Sequence, residues 1–515
     1  VIRRIAPATL KSWIADGQEL AILDAREEGL FGTAHLFWAV PCPLSQAEWR
    51  APQLLPRLAT RIVVCDGGEG EAEQLIAVLQ GLGAADVSLL AGGTPAWARA
   101  GYEVFSGVNV PSKAFGEWVE HHDGTPHVAP ETLAAMKADG EPLVVLDSRP
   151  FDEFHAMSIP GGINVPGGEL VYRLPALKIP PEATIVVNCA GRTRSILGAE
   201  SLRQAGVPNR VVALRDGTMG WELAGFHSDH GKTARFPPGP PPDVAATRAA
   251  AEAFATRNGV RIATTIPVAL ERTTYVLDVR EPEEFAQAHL AGSVSAPGGQ
   301  LVQATDRWVA VRHARIVLVD DDGVRARMTA GWLRRLGGWE VWVLDGAMAR
   351  ARAPAPATAP TMETIGTEAF RALHAAGAVV TVQLGRSLAS RAGAVPGAVW
   401  GVRRRLGAVR ARLGASLATE LVVVADPVAA EHASAELRAL FPGMRVRLLA
   451  GGAAGCGLPL VTDRTNPPDE ACIDAYLRPY DRNSGQEAAM RTYLGWEVDL
   501  PAQVARDGDA RFGAW

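Results

Sequence analysis

The sequence predicts an α/β protein of four tandem domains, each a parallel sheet flanked by helices, followed by a C-terminal extension. Three observations predict it. A strand ending in Asp-x-Arg recurs at domain-length spacing in three places. Each recurrence is followed in the same order by a second strand, a helical pattern and a third strand. The strands are apolar throughout, as strands of a parallel sheet covered on both faces must be.

The first block reads AILDAREEGLFGTAHL around Asp24, the second LVVLDSRPFDEFHAMSIPGG around Asp147, the third TYVLDVREPEEFAQAHLAGS around Asp278. Their short, β-branched aliphatic runs are buried strands by length and composition. The second strands are RIVVC, ATIVVNC and ARIVLVD, and the helical patterns EAEQLIAVLQGLG, SILGAESLRQAG and RMTAGWLRRLGG. The third strands run into Gly turns: VSLLAGGTPAW, RVVALRDGTMGW and VWVLDGAMARA. A fainter fourth copy runs from VVTVQLGRS to VRLLAGGAAG, and there the Asp is gone and Arg386 reads as the remaining Arg of the motif.

Composition breaks set the boundaries. The first domain spans 1–108 and the second 109–229. The Pro-rich stretch 230–245 is a linker, the third domain spans 246–352, and 353–361 is a second linker. The degenerate fourth domain spans 362–462, and 463–515 is a tail whose helix is expected to pack on a neighbouring domain.

The bulk numbers narrow the function classes. Hydrophobic residues make up 48% and charged residues 21% of the 515, ordinary for a globular protein, and the net charge of -5 gives no reason to expect nucleic acid or an anionic membrane as partner. No apolar stretch is long enough to span a membrane, and VIRRIAPATL does not read as a secretory signal. The five cysteines, Cys42, Cys65, Cys189, Cys456 and Cys472, form no C-x-x-C pair and have no metal-ligand spacing with His. No metal or cofactor is expected, and a reducing, cytoplasmic compartment is.

One cysteine stands apart. At the end of the second strand, where the loop begins, the first copy has Asp66, the second Cys189 and the third Asp320; the fourth has Ala425 or Asp426. The second loop continues Ala190-Gly191-Arg192-Thr193-Arg194 into a helix. A loop between a strand end and a helix start turns backbone N–H groups inward, and the helix N-terminus adds positive partial charge. Gly191 allows the chain to curl, a thiolate is stabilised there, and Arg192 and Arg194 place positive charge where an anion would arrive. Cys189 is the candidate nucleophile, and Ala190 to Arg194 the candidate anion site.

The loop CAGRTR resembles the active-site loop of rhodanese sulfurtransferases. Asp-x-Arg followed by Ile159-Pro160-Gly161, and Asp216-Gly217 leading to Trp221, are similar to two further hallmarks of that family. His35 and His289 fit a common family position before the turn, where the second copy has Ser158. The resemblance implies four rhodanese-like domains and a two-step transfer: Cys189 takes a sulfur from thiosulfate, becomes a persulfide and passes the sulfur to a small thiol, cyanide or a protein thiol. Related phosphatases and arsenate reductases have one more residue between Cys and Arg, and the shorter ring here suits a single sulfur atom. An Arg-rich loop favours thiosulfate over mercaptopyruvate as donor. A sulfur carrier or regulatory scaffold serving a partner protein remains the second reading, and the oligomeric state is not legible.

Lesser candidates receive structural readings. Asp147, Arg149 and Glu153 are expected to form structural pairs, since they recur where the nucleophile does not. Asp320-Asp321-Asp322 reads as a solvated acidic loop rather than a cation site. Pro166-Gly167-Gly168 recurs as Pro297-Gly298-Gly299, and whether it borders the pocket stays open.

Overall fold

The computed structural model describes residues 2–267, 271–352, 361–413 and 418–513. The interdomain segment 353–361 therefore lies, except for Thr361, outside the described residues. Among the described residues four sheets are present, and each is parallel among its own strands. In the second, the spatial order is His127–Val128, Val211–Leu214, Thr184–Asn188, Leu143–Asp147, Ile163–Asn164. The third repeats it with Arg261–Ala263, Glu340–Leu344, Arg315–Val319, Thr274–Asp278 and Val294–Ser295. The fourth does so with Thr364–Ile365, Arg445–Leu449, Glu420–Val424, Val379–Leu384 and Val399–Gly401.

The first sheet carries one addition. Beside Leu20–Asp24 lies the parallel strand Ala39–Pro41, and Val311–Arg312 of the third copy joins the same strand antiparallel, pairing Val311 with Ala21 and Arg312 with Leu20. The first and third copies thus share a sheet edge. One continuous apolar core runs through the first three copies, while the fourth keeps cores of its own.

Strand register corrects one sequence reading. Asp24, Asp147 and Asp278 pair with Cys65, Asn188 and Val319, the last strand residue before each loop. In the fourth copy the residue so placed is Gln383, opposite Val424. The motif Arg is therefore replaced by Gly385, and the loop residue equivalent to Cys189 is Ala425. Arg386 stands one place further, at the helix N-cap that Glu27, Pro150 and Glu281 occupy elsewhere.

Intact Asp-x-Arg motifs work identically. Each Arg grips its Asp with two N–H groups and gives another to a carbonyl eight residues on: Arg26 to Ala34, Arg149 to Met157, Arg280 to Ala288. A buried, doubly bonded ion pair fixes the strand exit and the return of the chain.

The two Gly-Gly segments meet each other. A Cβ on Gly168 would lie 2.7 Å from the Gly299 nitrogen, and one on Gly299 equally close to the Gly168 nitrogen. They form the contact between the second and third copies, which needs glycine on both sides.

Candidate active site

Cys189 follows the strand Thr184–Asn188 and precedes the helix Thr193–Gln204. It is 2% exposed. Its thiol lies 3.5 Å from the Ser195 hydroxyl, which donates to the Arg192 carbonyl at 2.7 Å. Asn188 braces the strand end by donating to Asp147 and to the Thr218 hydroxyl.

The Asp-Gly turn lies directly beneath this loop. Thr218 N–H donates to the Cys189 carbonyl at 2.8 Å and Met219 N–H to the Ala190 carbonyl at 3.0 Å. Gly217 has φ +53°, and a Cβ there would sit 2.3 Å from the Cys189 carbonyl oxygen. The motif's glycine is thus a requirement of close approach. The first copy repeats it: a Cβ on Gly93 would lie 2.4 Å from the Asp66 carbonyl oxygen.

Both loop arginines have carboxylate partners, which the loop sequence alone does not reveal. Arg192 meets Glu117, Glu120 and Asp216. Arg194 forms two bonds to Glu153, at 3.1 and 2.8 Å. Burial alone would raise the Glu153 carboxyl, yet Arg194, helped by Arg478 and Arg149, brings it down to about 2. The third copy has the same pair as Arg325–Glu284, without a nucleophile beside it. Thr193 is buried with its hydroxyl unpartnered, and Gly116 packs against it.

The equivalent loops of the first and third copies are filled. Asp66 accepts from the N–H groups of Gly68, Gly70 and Ala72 at 2.9–3.0 Å. Asp320 accepts from Ala326, while Asp322 takes Val324 and Arg325. The expected solvated acidic loop is therefore corrected: Asp320 and Asp322 are 6% and 4% exposed. They are buried because they satisfy the loop's own N–H groups and, for Asp322, the Arg325 guanidinium.

The tail reaches the site, which sequence reasoning missed. The helix Gln486–Asp507 packs on the helix Val110–Asp123. Tyr480 donates to the Ala190 carbonyl at 3.0 Å. Ala190 and Met219 form a small apolar cluster with Met490 and Leu494. Glu497 pairs with Lys113 at 2.5 Å, and Tyr493 also contacts that ammonium. A signal existed: three of the chain's six tyrosines, Tyr476, Tyr480 and Tyr493, fall in the tail.

All six loop residues border one cavity of about 930 Å³, walled also by the first, third and fourth copies and the tail. Of the remaining cysteines, Cys65 is a fully buried strand residue whose thiol is pushed well above its ordinary range by burial and Asp24. Cys42, Cys456 and Cys472 are buried too, and none of the five is in a disulfide.

Comparison with known proteins agrees with this architecture. The family model described as "Rhodanese-like domain" matches residues 6–100, 129–224 and 267–352. The chain belongs to the rhodanese family. A solved structure, the thiosulfate sulfurtransferase from Pseudomonas aeruginosa, is 42% identical, with 99% of each chain covered and a TM-score of 0.87. A curated relative, the HTH-type transcriptional regulator Rv0324 of Mycobacterium tuberculosis (strain ATCC 25618 / H37Rv), is 37% identical over 100 residues. That match spans 19% of this chain and 42% of the relative's length. No helix among the described residues is long and apolar enough to cross a membrane.

Proposed function

We propose that this rhodanese is a thiosulfate sulfurtransferase that works through a persulfide on Cys189, in a reducing, cytoplasmic compartment. The observation that carries the reading is the contrast among equivalent loops. In the first and third copies carboxylates occupy the inward N–H groups; in the second the position holds a thiol that borders a cavity. The near full-length likeness to a thiosulfate sulfurtransferase supports the same donor.

The Cys189 thiolate attacks the outer sulfur of thiosulfate, the S–S bond of the donor breaks, and sulfite leaves with the bonding pair. The persulfide anion then rests at the mouth of a loop whose N–H groups and helix N-terminus favour negative charge. An acceptor thiolate or cyanide attacks the terminal sulfur, and Cys189 departs as thiolate. The sulfur itself is the carried group, so the cycle runs without a cofactor. A protein thiol as acceptor is disfavoured by the 2% exposure of Cys189 and by Tyr480 across the loop. Mercaptopyruvate remains the alternative donor, to be compared directly.

Mass spectrometry after thiosulfate treatment should find one added sulfur, on the peptide containing Cys189. Cys189→Ser should lose it together with thiosulfate:cyanide activity, and Cys65→Ser should retain most of both. Substantial turnover by Cys189→Ser would overturn the assignment.

A further inference from the structure

The cavity that holds Cys189 is much larger than thiosulfate requires. Its volume of about 930 Å³ lies near the top of the range of pockets that bury drug-sized ligands, about 300–1,000 Å³. It forms where the carboxyl ends of the first, second and fourth sheets converge. Glu27, Pro150 and Arg386, the same N-cap position in three copies, all border it. Ligands of parallel α/β sheets bind at these strand ends.

The charges around the cavity are unequal in their freedom. Arg192, Arg194 and Arg478 are held by carboxylates, Lys113 by Glu497, and Arg403 by Glu48, while Arg50 donates to the Arg307 carbonyl and the Arg307 guanidinium lies over the Trp308 ring. Arg386 is exposed at the cavity wall, and among the described residues its guanidinium has neither ion pair nor hydrogen bond. In the fourth copy the motif Asp has become Gln383 and the motif Arg Gly385, so no carboxylate from Asp-x-Arg stands beside it. The wall also holds Glu27 and Asp306. Burial pushes these up to about 7 and about 6, so that near neutral pH Glu27 carries only part of its charge while Asp306 stays mostly ionised. Asp474 accepts from the Ser387 N–H through Oδ2 at 2.9 Å, and its Oδ1 is buried without a hydrogen-bond partner.

We infer that Arg386, supplied by the degenerate fourth copy, holds the carboxylate of an organic thiol acceptor while its sulfur attacks the Cys189 persulfide. The inference rests on sulfur transfer at Cys189 and adds the acceptor class and the residue that selects it. In the step concerned, the acceptor thiolate forms a bond to the terminal sulfur and the Cys189 S–S bond breaks. The acceptor leaves as a persulfide and Cys189 as thiolate, with no external oxidant or reductant.

The test compares two small acceptor thiols with thiosulfate as donor: 3-mercaptopropionate, which carries a carboxylate, and 2-mercaptoethanol, which does not. A charge-assisted contact of this kind corresponds to about a ten- to hundredfold change in affinity. The ratio of kcat/KM for the two thiols should fall by that factor in Arg386→Ala, chiefly through KM for 3-mercaptopropionate. Arg386→Lys should recover part of the ratio, and Arg386→Glu should reverse the preference. Equal losses on both thiols, or an unchanged ratio, would overturn the role of Arg386. Persulfide on Cys189 is measured in the same samples. Its presence with an unchanged ratio refutes Arg386 alone, whereas its absence in the wild type refutes the transfer reading and this one together.

Discussion

At the nucleophile position the copies carry Asp66, Cys189, Asp320 and Ala425, and that residue decides what the loop's N–H groups do. The carboxylates close their loops upon themselves, at a price set by burial. For Asp320, burial and then the Asp322 charge push the carboxyl up to about 8. A group whose folded value is raised contributes stability below its unfolded value, here 3.8, and loses it as pH climbs towards the folded value. Asp320→Asn, which keeps an acceptor for Ala326, should therefore gain thermal stability over wild type progressively between about pH 4 and 8. A pH-independent difference in Tm would contradict this. The loop arginines invite a different measurement. Arg192→Ala leaves Glu117, 1% exposed at its side chain, without its guanidinium, and breaking a buried pair this way costs about 3–5 kcal/mol. A large fall in Tm is expected; unchanged stability with weakened use of thiosulfate would instead make Arg192 a substrate ligand. The sequence made Cys189 and the two arginines legible because they are contiguous. It hid Glu117, Glu120 and Glu153, since nothing local tells an ion partner from a solvated acid.

Among the elements, the first three sheets were readable because their strands are apolar runs closed by the same motif. The fourth was readable in order but not in register. There Gln383-Leu384-Gly385-Arg386 invited a one-residue slip that strand pairing with Val424 resolves. The tail helix was also legible as a helix, but its destination was not. Tertiary placement of a terminal segment depends on the face it finds, and that face belongs to residues nearly 400 positions away. Leu500 and Val504 of that helix enter the main core, and its buried ion pair there is Lys113–Glu497, whose side chains are 6% and 1% exposed. Glu497→Ala strands that ammonium and should cost about 3–5 kcal/mol, read as a fall in Tm. Protease resistance around residues 480–500 should fall with it. Normal resistance there would show that the apolar contacts of Leu494 and Met490 suffice to hold the segment.

In the molecule as a whole, the copies without a nucleophile are walls and braces rather than spare sites. Arg325, which matches the place of Arg194, is fully buried between Glu169 of the second copy and Glu284, Asp321 and Asp322 of its own. Beside it the facing glycines set the spacing. Gly168→Ala or Gly299→Ala forces the second and third copies apart and should lower Tm. Because both act on one contact, the double variant should cost less than the sum of the two. Full additivity would mean that the backbones do not meet. The shared sheet edge also has a consequence for how the chain is made. Ala21 emerges from the ribosome early, but its antiparallel partner Val311 follows 290 residues later (311 − 21). At about 5–20 residues per second, that is a wait of roughly 15–60 seconds. Throughout it, the nascent first domain presents part of a strand edge with no neighbour, a template for pairing with other chains. Slowing translation within the first three hundred codons should therefore increase aggregation, and supplying the third domain in trans should relieve it.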